Sequence, residues 1–196
     1  MHRKLGNVVF QATKLVVIDR DGTLIRHVPY LCDPAKVEVL PGVREGLAKL
    51  RNAGYLLFLH TNQSGVGRGY FTLEAAMRCN NEMLRQLGFG NQFFTEVCVC
   101  PEAPDELIEY RKPSPRFGQE LLARYGKHAD DIYYFGDNLT DMLTAKNIGC
   151  RGVGVNTGVH DLRQELAAHG LGGCFPVCDS FVEAVDSLLA SCEVNS

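Results

Sequence analysis

The chain has 196 residues, 45% of them hydrophobic and 22% charged, with a net charge of −3 and a pI near 6.1. That length suits one sizeable domain, and the acidic balance, with basic pairs as sparse as Arg20 and Arg26, excludes a nucleic-acid surface built on bulk charge. No apolar stretch reaches the length of a membrane span. The amino-terminal apolar runs are interrupted at Lys14 and precede no small-residue cleavage site, so they do not read as a signal peptide.

A cytoplasmic location is therefore expected. The eight cysteines would then be reduced thiols buried as small apolar residues.

In chain order, the first buried strand is Leu15-Val16-Val17-Ile18, which stops at Asp19. A helix follows, opened by Pro41-Gly42, carried by Val43, Leu47 and Leu50, and closed by Gly54. Tyr55 to Leu59 is the second strand and stops at Thr61-Asn62. The next helix has Thr72 as its N-cap, runs to Leu87 and ends on Gly88. Phe93 to Cys100 is a further strand, and Pro115 to Tyr125 a helix. Ile132 to Phe135 is a strand ending at Gly136-Asp137, followed by a helix over Thr140 to Asn147. Cys150 to Val155 is a glycine-laced strand. Helices over Asp161 to His169 and Phe181 to Cys192 complete the chain, with a closing strand in the tail after Gly170.

Near-continuous apolar strands suit a sheet covered on both faces. Their alternation with helices predicts an α/β doubly wound parallel sheet, as one domain over residues 1–196. In such sheets ligands sit at the carboxyl ends of the strands, where three polar clusters fall.

The clusters carry phosphoryl chemistry. In Asp19-Arg20-Asp21-Gly22-Thr23, Asp19 can attack phosphorus as a carboxylate and form an aspartyl-phosphate. Asp21 can protonate the leaving oxygen and later deprotonate the attacking water. Gly22 permits the sharp reversal between them. Thr61-Asn62-Gln63-Ser64 offers a hydroxyl, amides and backbone N–H groups to phosphoryl oxygens. Lys112, in Arg111-Lys112-Pro113-Ser114-Pro115, supplies a compact positive charge. Asp137 can complete a hard-cation site with Asp19, and Asp141 can hold Lys112 in place.

These clusters, in this order, resemble those of the haloacid dehalogenase superfamily over about Leu15 to Gly158. The resemblance implies a Rossmann-like sheet without a large cap domain. It also implies Mg²⁺ on the side chains of Asp19 and Asp137 and the backbone carbonyl of Asp21, with Thr61 and Lys112 on the phosphoryl group.

Thr61-Asn62-Gln63-Ser64-Gly65-Val66-Gly67-Arg68-Gly69 and Arg-Lys-Pro-Ser-Pro are similar to a narrower branch. That branch holds D-glycero-D-manno-heptose 1,7-bisphosphate 7-phosphatases and histidinol-phosphate phosphatases. It implies Asn62, Gln63, Ser64, Arg68 and Arg111 as substrate contacts, and a small sugar phosphate as partner. A monomer without nucleic-acid or membrane partners is expected.

Of the four Cys and His ligands that hold a structural zinc in many members of this branch, only Cys100 is present. A zinc is therefore not expected. The 7-phosphate of the heptose bisphosphate is the favoured target. Histidinol phosphate, a nucleic-acid 3′-phosphate and a non-catalytic binding module are the competing readings.

Overall fold

A computed structural model describes residues 14–193. Its sheet is built on β1 (Leu15–Ile18), whose four side chains are all fully buried. β1 pairs in parallel with β2 (Leu56–Asn62) on one side and with β4 (Ile132–Gly136) on the other, so that Val17 sits level with Phe58 and Tyr134. β3 (Glu96–Cys100) extends the β2 side; β5 (Arg151–Val155) and the short β6 (Val177–Cys178) extend the β4 side.

The order β3-β2-β1-β4-β5-β6 is that of a doubly wound sheet, with the change of direction at β1. The chain leaves β1 toward one edge and returns to cross to the other, opening a crevice above the carboxyl ends of β1 and its neighbours.

Alternating side chains of the central strands feed two cores. Val16, Ile18, Leu57, Leu59, Tyr133 and Phe135 belong to one, with α1 (Val43–Asn52), α3 (Leu73–Leu87) and α7 (Phe181–Glu193) packed on it. Leu15, Val17, Phe58, Ile132 and Tyr134 face the other, against α4 (Arg116–Tyr125) and α5 (Leu139–Ile148). Both faces being covered explains why these strands show no apolar–polar alternation. α6 (Leu162–Ala168) adds a smaller cluster with Met142 and Leu171.

The helix signals fall where expected. The Thr72 hydroxyl caps α3 by accepting from the Ala75 N–H at 3.3 Å, and Gly88 ends it in the left-handed region. Differences lie at the edges. β2 runs on through Thr61 and Asn62, because Cys100 of β3 pairs with Asn62. β3 begins only at Glu96, since Phe93 is stacked on Phe89 at 3.9 Å in the turn before it. A four-residue helix, α2 (Ser64–Gly67), and two 3₁₀ turns, Pro34–Lys36 and Ala129–Asp131, were not anticipated. The amino-terminal runs before Lys14 lie outside the described residues. No helix among the described residues is long and apolar enough to cross a membrane.

α1 and α7 approach closely at Gly46, where a Cβ would sit 2.8 Å from the Phe181 ring and 3.4 Å from Val185. Gly46→Val should therefore overpack this seam and cost about 1–3 kcal/mol. Urea unfolding should show a lower midpoint at unchanged slope. An unchanged midpoint would mean that the seam can open freely.

Candidate active site

Asp19 follows β1, and its N–H donates to the Phe135 carbonyl at 2.9 Å. Asp137 follows β4, the next strand over, so two carboxylates meet at the point where the sheet changes direction. Lys112 arrives from the loop before α4, and its ammonium donates to Asp19 Oδ1 at 2.5 Å and to Asp141 Oδ1 at 2.6 Å. Oxygens of Asp19, Asp137 and Asp141 all lie within 4.8 Å of one another. The structure thus brings together Asp19, Lys112, Asp137 and Asp141, all buried.

Local structure fixes each group. Asp141 sits in the first turn of α5, where its Oδ2 accepts from the Asn138 N–H at 3.0 Å. Its other oxygen is thereby left for Lys112. Asp137 is wedged between two glycines: a Cβ on Gly22 or Gly158 would fall 2.2 or 2.1 Å from its Oδ2. Gly22 also has φ +86°, which side-chain-bearing residues rarely adopt. Thr23 donates to Asp137 Oδ1 at 3.0 Å, and Thr157 donates to the Gly22 carbonyl at 2.6 Å, tying the first loop to the end of β5.

The second cluster behaves differently from expectation. The Asn62 amide both donates to the Lys112 carbonyl (3.2 Å) and accepts from the Lys112 N–H (2.9 Å). It positions the lysine backbone. The Thr61 hydroxyl donates to Asp21 Oδ2 at 3.2 Å, and the Gln63 amide donates to the same oxygen at 3.0 Å and to Thr61 Oγ1 at 2.9 Å.

Asp21, Asn62, Gln63 and Ser64 line a cavity of about 310 Å³, together with His27, Tyr30 and Phe71, which the sequence reading did not single out. Tyr30 is half-exposed with φ +52° and meets Tyr70 edge-to-face at 4.9 Å. Arg68 caps the exposed end of α2, and the Arg111 guanidinium donates to the Glu102 carbonyl at 3.3 Å. A larger cavity of about 430 Å³ lies beside Tyr133 and Arg151, at the amino ends of β4 and β5, and none of the candidate residues lines it.

A cluster beneath the site was also missed in part. Cys98 and Cys100 do share a face of β3, as alternation requires, but buried His60 from β2 joins them. Its Nε2 is 3.2 Å from Cys100 Sγ, and the two sulfurs are 3.8 Å apart. His60 Nδ1 lies 2.6 Å from the Tyr134 hydroxyl and Nε2 lies 2.9 Å from the Tyr110 carbonyl. A neutral ring accepting from Tyr134 and donating to Tyr110 satisfies both nitrogens. Burial, helped by Lys112, pushes this histidine down to about 3.

Electrostatics in the main cluster are unbalanced. Burial raises Asp19 to about 7; Lys112 pulls it back, while Asp141 and Asp21 push it further up. Burial also lifts Asp137 well above the carboxylate range, with Asp19 and Asp141 adding to it. For Lys112, burial opposes the charge, but Asp141 and Asp19 outweigh it and the lysine is held above its ordinary value. One cation among three buried carboxylates leaves negative charge uncompensated. Hard oxygen donors this close suit a small divalent cation.

An acidic pair on one strand end, a lysine bridging two carboxylates and a third acid beyond define a haloacid dehalogenase-type hydrolase. Comparison with known proteins agrees. Residues 109–184 match a family model described as HAD-hydrolase-like. The chain is 30% identical over 177 residues to D-glycero-beta-D-manno-heptose-1,7-bisphosphate 7-phosphatase of Bordetella bronchiseptica, covering 90% of this chain and 98% of that one. With the enzyme of the same name from Pseudomonas aeruginosa it shares 32% identity over 146 residues, 74% of this chain and 82% of that one. The crystal structure of D,D-heptose 1,7-bisphosphate phosphatase from B. bronchiseptica, complexed with magnesium and phosphate, superposes with a TM-score of 0.81 at 30% identity. It covers 91% of this chain and 99% of that one. The chain belongs to this phosphatase family of the haloacid dehalogenase superfamily.

Groups with raised values in the folded state hold protons that the unfolded chain has lost. Without a divalent cation, the charging of Asp19 therefore destabilises the fold as pH rises from its ordinary 3.8 to about 7. Millimolar Mg²⁺ should raise the melting temperature more at about pH 7.5 than at about pH 5, as read by thermal-shift measurement. Asp137→Asn should flatten that difference. Equal shifts at both pH values would contradict the assignment.

Proposed function

We propose that the chain is a Mg²⁺-dependent phosphomonoesterase of sugar phosphates, acting through an aspartyl-phosphate, and that its substrate is D-glycero-D-manno-heptose 1,7-bisphosphate, cleaved at the 7-phosphate. The observation that carries this reading is Lys112 held between Asp19 and Asp141, with Asp137 close by. The names of its relatives support the substrate.

In this reading Asp19 attacks phosphorus, the bond from phosphorus to the leaving oxygen breaks, and Asp21 gives that oxygen a proton. Asp21 then takes a proton from the water that attacks the aspartyl-phosphate, which restores the free carboxylate of Asp19 and releases inorganic phosphate. Lys112 neutralises charge on the phosphoryl oxygens, and the Thr61 hydroxyl, turned from Asp21, and the N–H groups around Gln63 and Ser64 complete their coordination. The side chains of Asp19 and Asp137 and the main-chain carbonyl of Asp21 would hold Mg²⁺, which when bound supplies charge neutralisation at the phosphoryl group.

Arg111, next to Lys112, and Arg68 are the cations for a distal phosphate. The satisfied hydrogen bonds of His60 support a metal-free role for its cluster with Cys98 and Cys100. One domain over 1–196, working as a cytoplasmic monomer, fits the reading.

Asp19→Asn should lower Mg²⁺-dependent phosphate release by at least about a thousand-fold. Asp21→Asn should lower it by about a hundred- to ten-thousand-fold while Mg²⁺ binding persists. Wild-type rates in Asp19→Asn would overturn the mechanism. Arg111→Ala should raise KM for the heptose bisphosphate more than for a simple monophosphate ester. A panel of kcat/KM values including histidinol phosphate and 3′-phosphorylated DNA tests the substrate, and preference for either over the heptose would replace it.

A further inference from the structure

Arg20 is the largest fully buried side chain, with no exposed surface at all. Taking a guanidinium out of water costs several kcal/mol unless it is paired and hydrogen-bonded, so its partners show what the burial is for. Among the described residues its carboxylate partner is Asp21. Arg20 Nε donates to Asp21 Oδ2 at 3.0 Å, and Nη2 lies 3.2 Å from Oδ1 and 2.9 Å from Oδ2. The third arm, Nη1, donates to Asn80 Oδ1 at 2.7 Å and to the Ala76 carbonyl at 3.4 Å. Ala76 and Asn80 are one turn apart on the buried face of α3. The fork is therefore bolted to a helix of the scaffold and gripped onto an acid that lines the 310 Å³ cavity.

The grip is asymmetric. Asp21 Oδ2 lies 3.0 Å from Arg20 Nε, 2.9 Å from Nη2, 3.2 Å from the Thr61 hydroxyl and 3.0 Å from the Gln63 amide. Among the described residues, Oδ1 has the 3.2 Å contact to Nη2. An oxygen crowded by all of these has no room for a further partner, so Oδ1 is the one left to reach a leaving group. Both the rotation and the tilt of the acid are set by the guanidinium plane, which a lysine could not reproduce.

We propose that Arg20, anchored by Asn80, is a positioning residue that aims Asp21 Oδ1 at the leaving oxygen. The inference rests on the proposed function above. In the step concerned, the bond from phosphorus to the leaving oxygen breaks, its electron pair stays on that oxygen, and the proton it gains comes from Oδ1.

The test exploits leaving groups. An alkoxide leaves only with a proton, whereas p-nitrophenolate leaves without one, and kcat/KM reports only the steps up to its departure. Asn80→Leu touches neither Asp21 nor substrate. It should lower kcat/KM for an alkyl phosphate by about ten-fold or more, within the range open to a positioned acid, while p-nitrophenyl phosphate changes less than about two-fold. Asn80→Asp, which keeps an acceptor for Nη1, should restore most of the alkyl rate. Arg20→Lys should show the same selective loss.

If Arg20→Lys fails to fold, the Asn80 pair still decides the matter. Equal losses on both esters, or a lower melting temperature with an unchanged alkyl-to-aryl ratio, would mean that Arg20 only ties α3 to the sheet and would overturn the proposal. Full activity in Asp19→Asn would instead remove the parent reading, so the two failures are distinguishable.

Discussion

An ammonium group buried between two carboxylates, with a third carboxylate close behind, is the constraint from which the rest of this structure follows. Lys112 satisfies Asp19 and Asp141 within 2.6 Å, yet one positive charge cannot balance three acids. Burial, with the neighbouring acids adding to it, raises Asp19 and Asp137 and gives them a tendency to hold protons. Asp19 and Asp137 would hold a divalent cation that supplies the missing positive charge, and Lys112 would then be free to face a phosphoryl oxygen.

Holding such groups in place takes rigid supports, and the fold supplies them at the sheet's reversal. Asp19 and Asp137 leave adjacent parallel strands in register, so their separation is fixed by strand spacing. Lys112 comes from a loop, which is a looser platform, and the loop is correspondingly pinned. Asn62 grips the Lys112 backbone from both sides, and His60 holds the Tyr110 carbonyl two residues earlier. Both pins project from β2, so Lys112 is referenced to the sheet rather than to its own loop. Gly22 and Gly158 then let the neighbouring backbones close on Asp137 to a distance that a side chain would prevent.

The sequence made the frame legible because apolar runs and caps are local signals. Leu15–Ile18, the Thr72 cap and the Gly88 stop needed no tertiary knowledge. The four acidic and lysine positions were legible through their placement after strands and the resemblance they carry. What stayed hidden was direction. Asn62 and Gln63 read as ligands for substrate because amides at a strand end suit that task, yet their side chains turn inward to Lys112 and Asp21. Nothing in a one-dimensional pattern distinguishes a buried Arg20 from a solvated one, since the Asn80 that receives it lies sixty positions away. His60 was concealed for the same reason: its partners, Tyr110 and Tyr134, come from other elements.

In the proposed mechanism two acids one residue apart do opposite jobs, and their neighbours differ to match. Asp19 shares its oxygen with Lys112, which the proposed mechanism also assigns to the phosphoryl group. Asp21 is held by Arg20, which is sealed from solvent and has its third arm committed to α3. The first acid is thus tied to a partner that the reaction redistributes, and the second to one that the reaction cannot touch. A nucleophile benefits from the former, because its negative charge is released toward phosphorus as the lysine turns to the transferring group. A proton donor benefits from the latter, because its aim must survive two successive proton transfers in opposite directions without drifting. On that reading, the division of labour in the Asp-Arg-Asp triplet is set by what each carboxylate is bolted to, and Arg20 serves mechanism and fold alike.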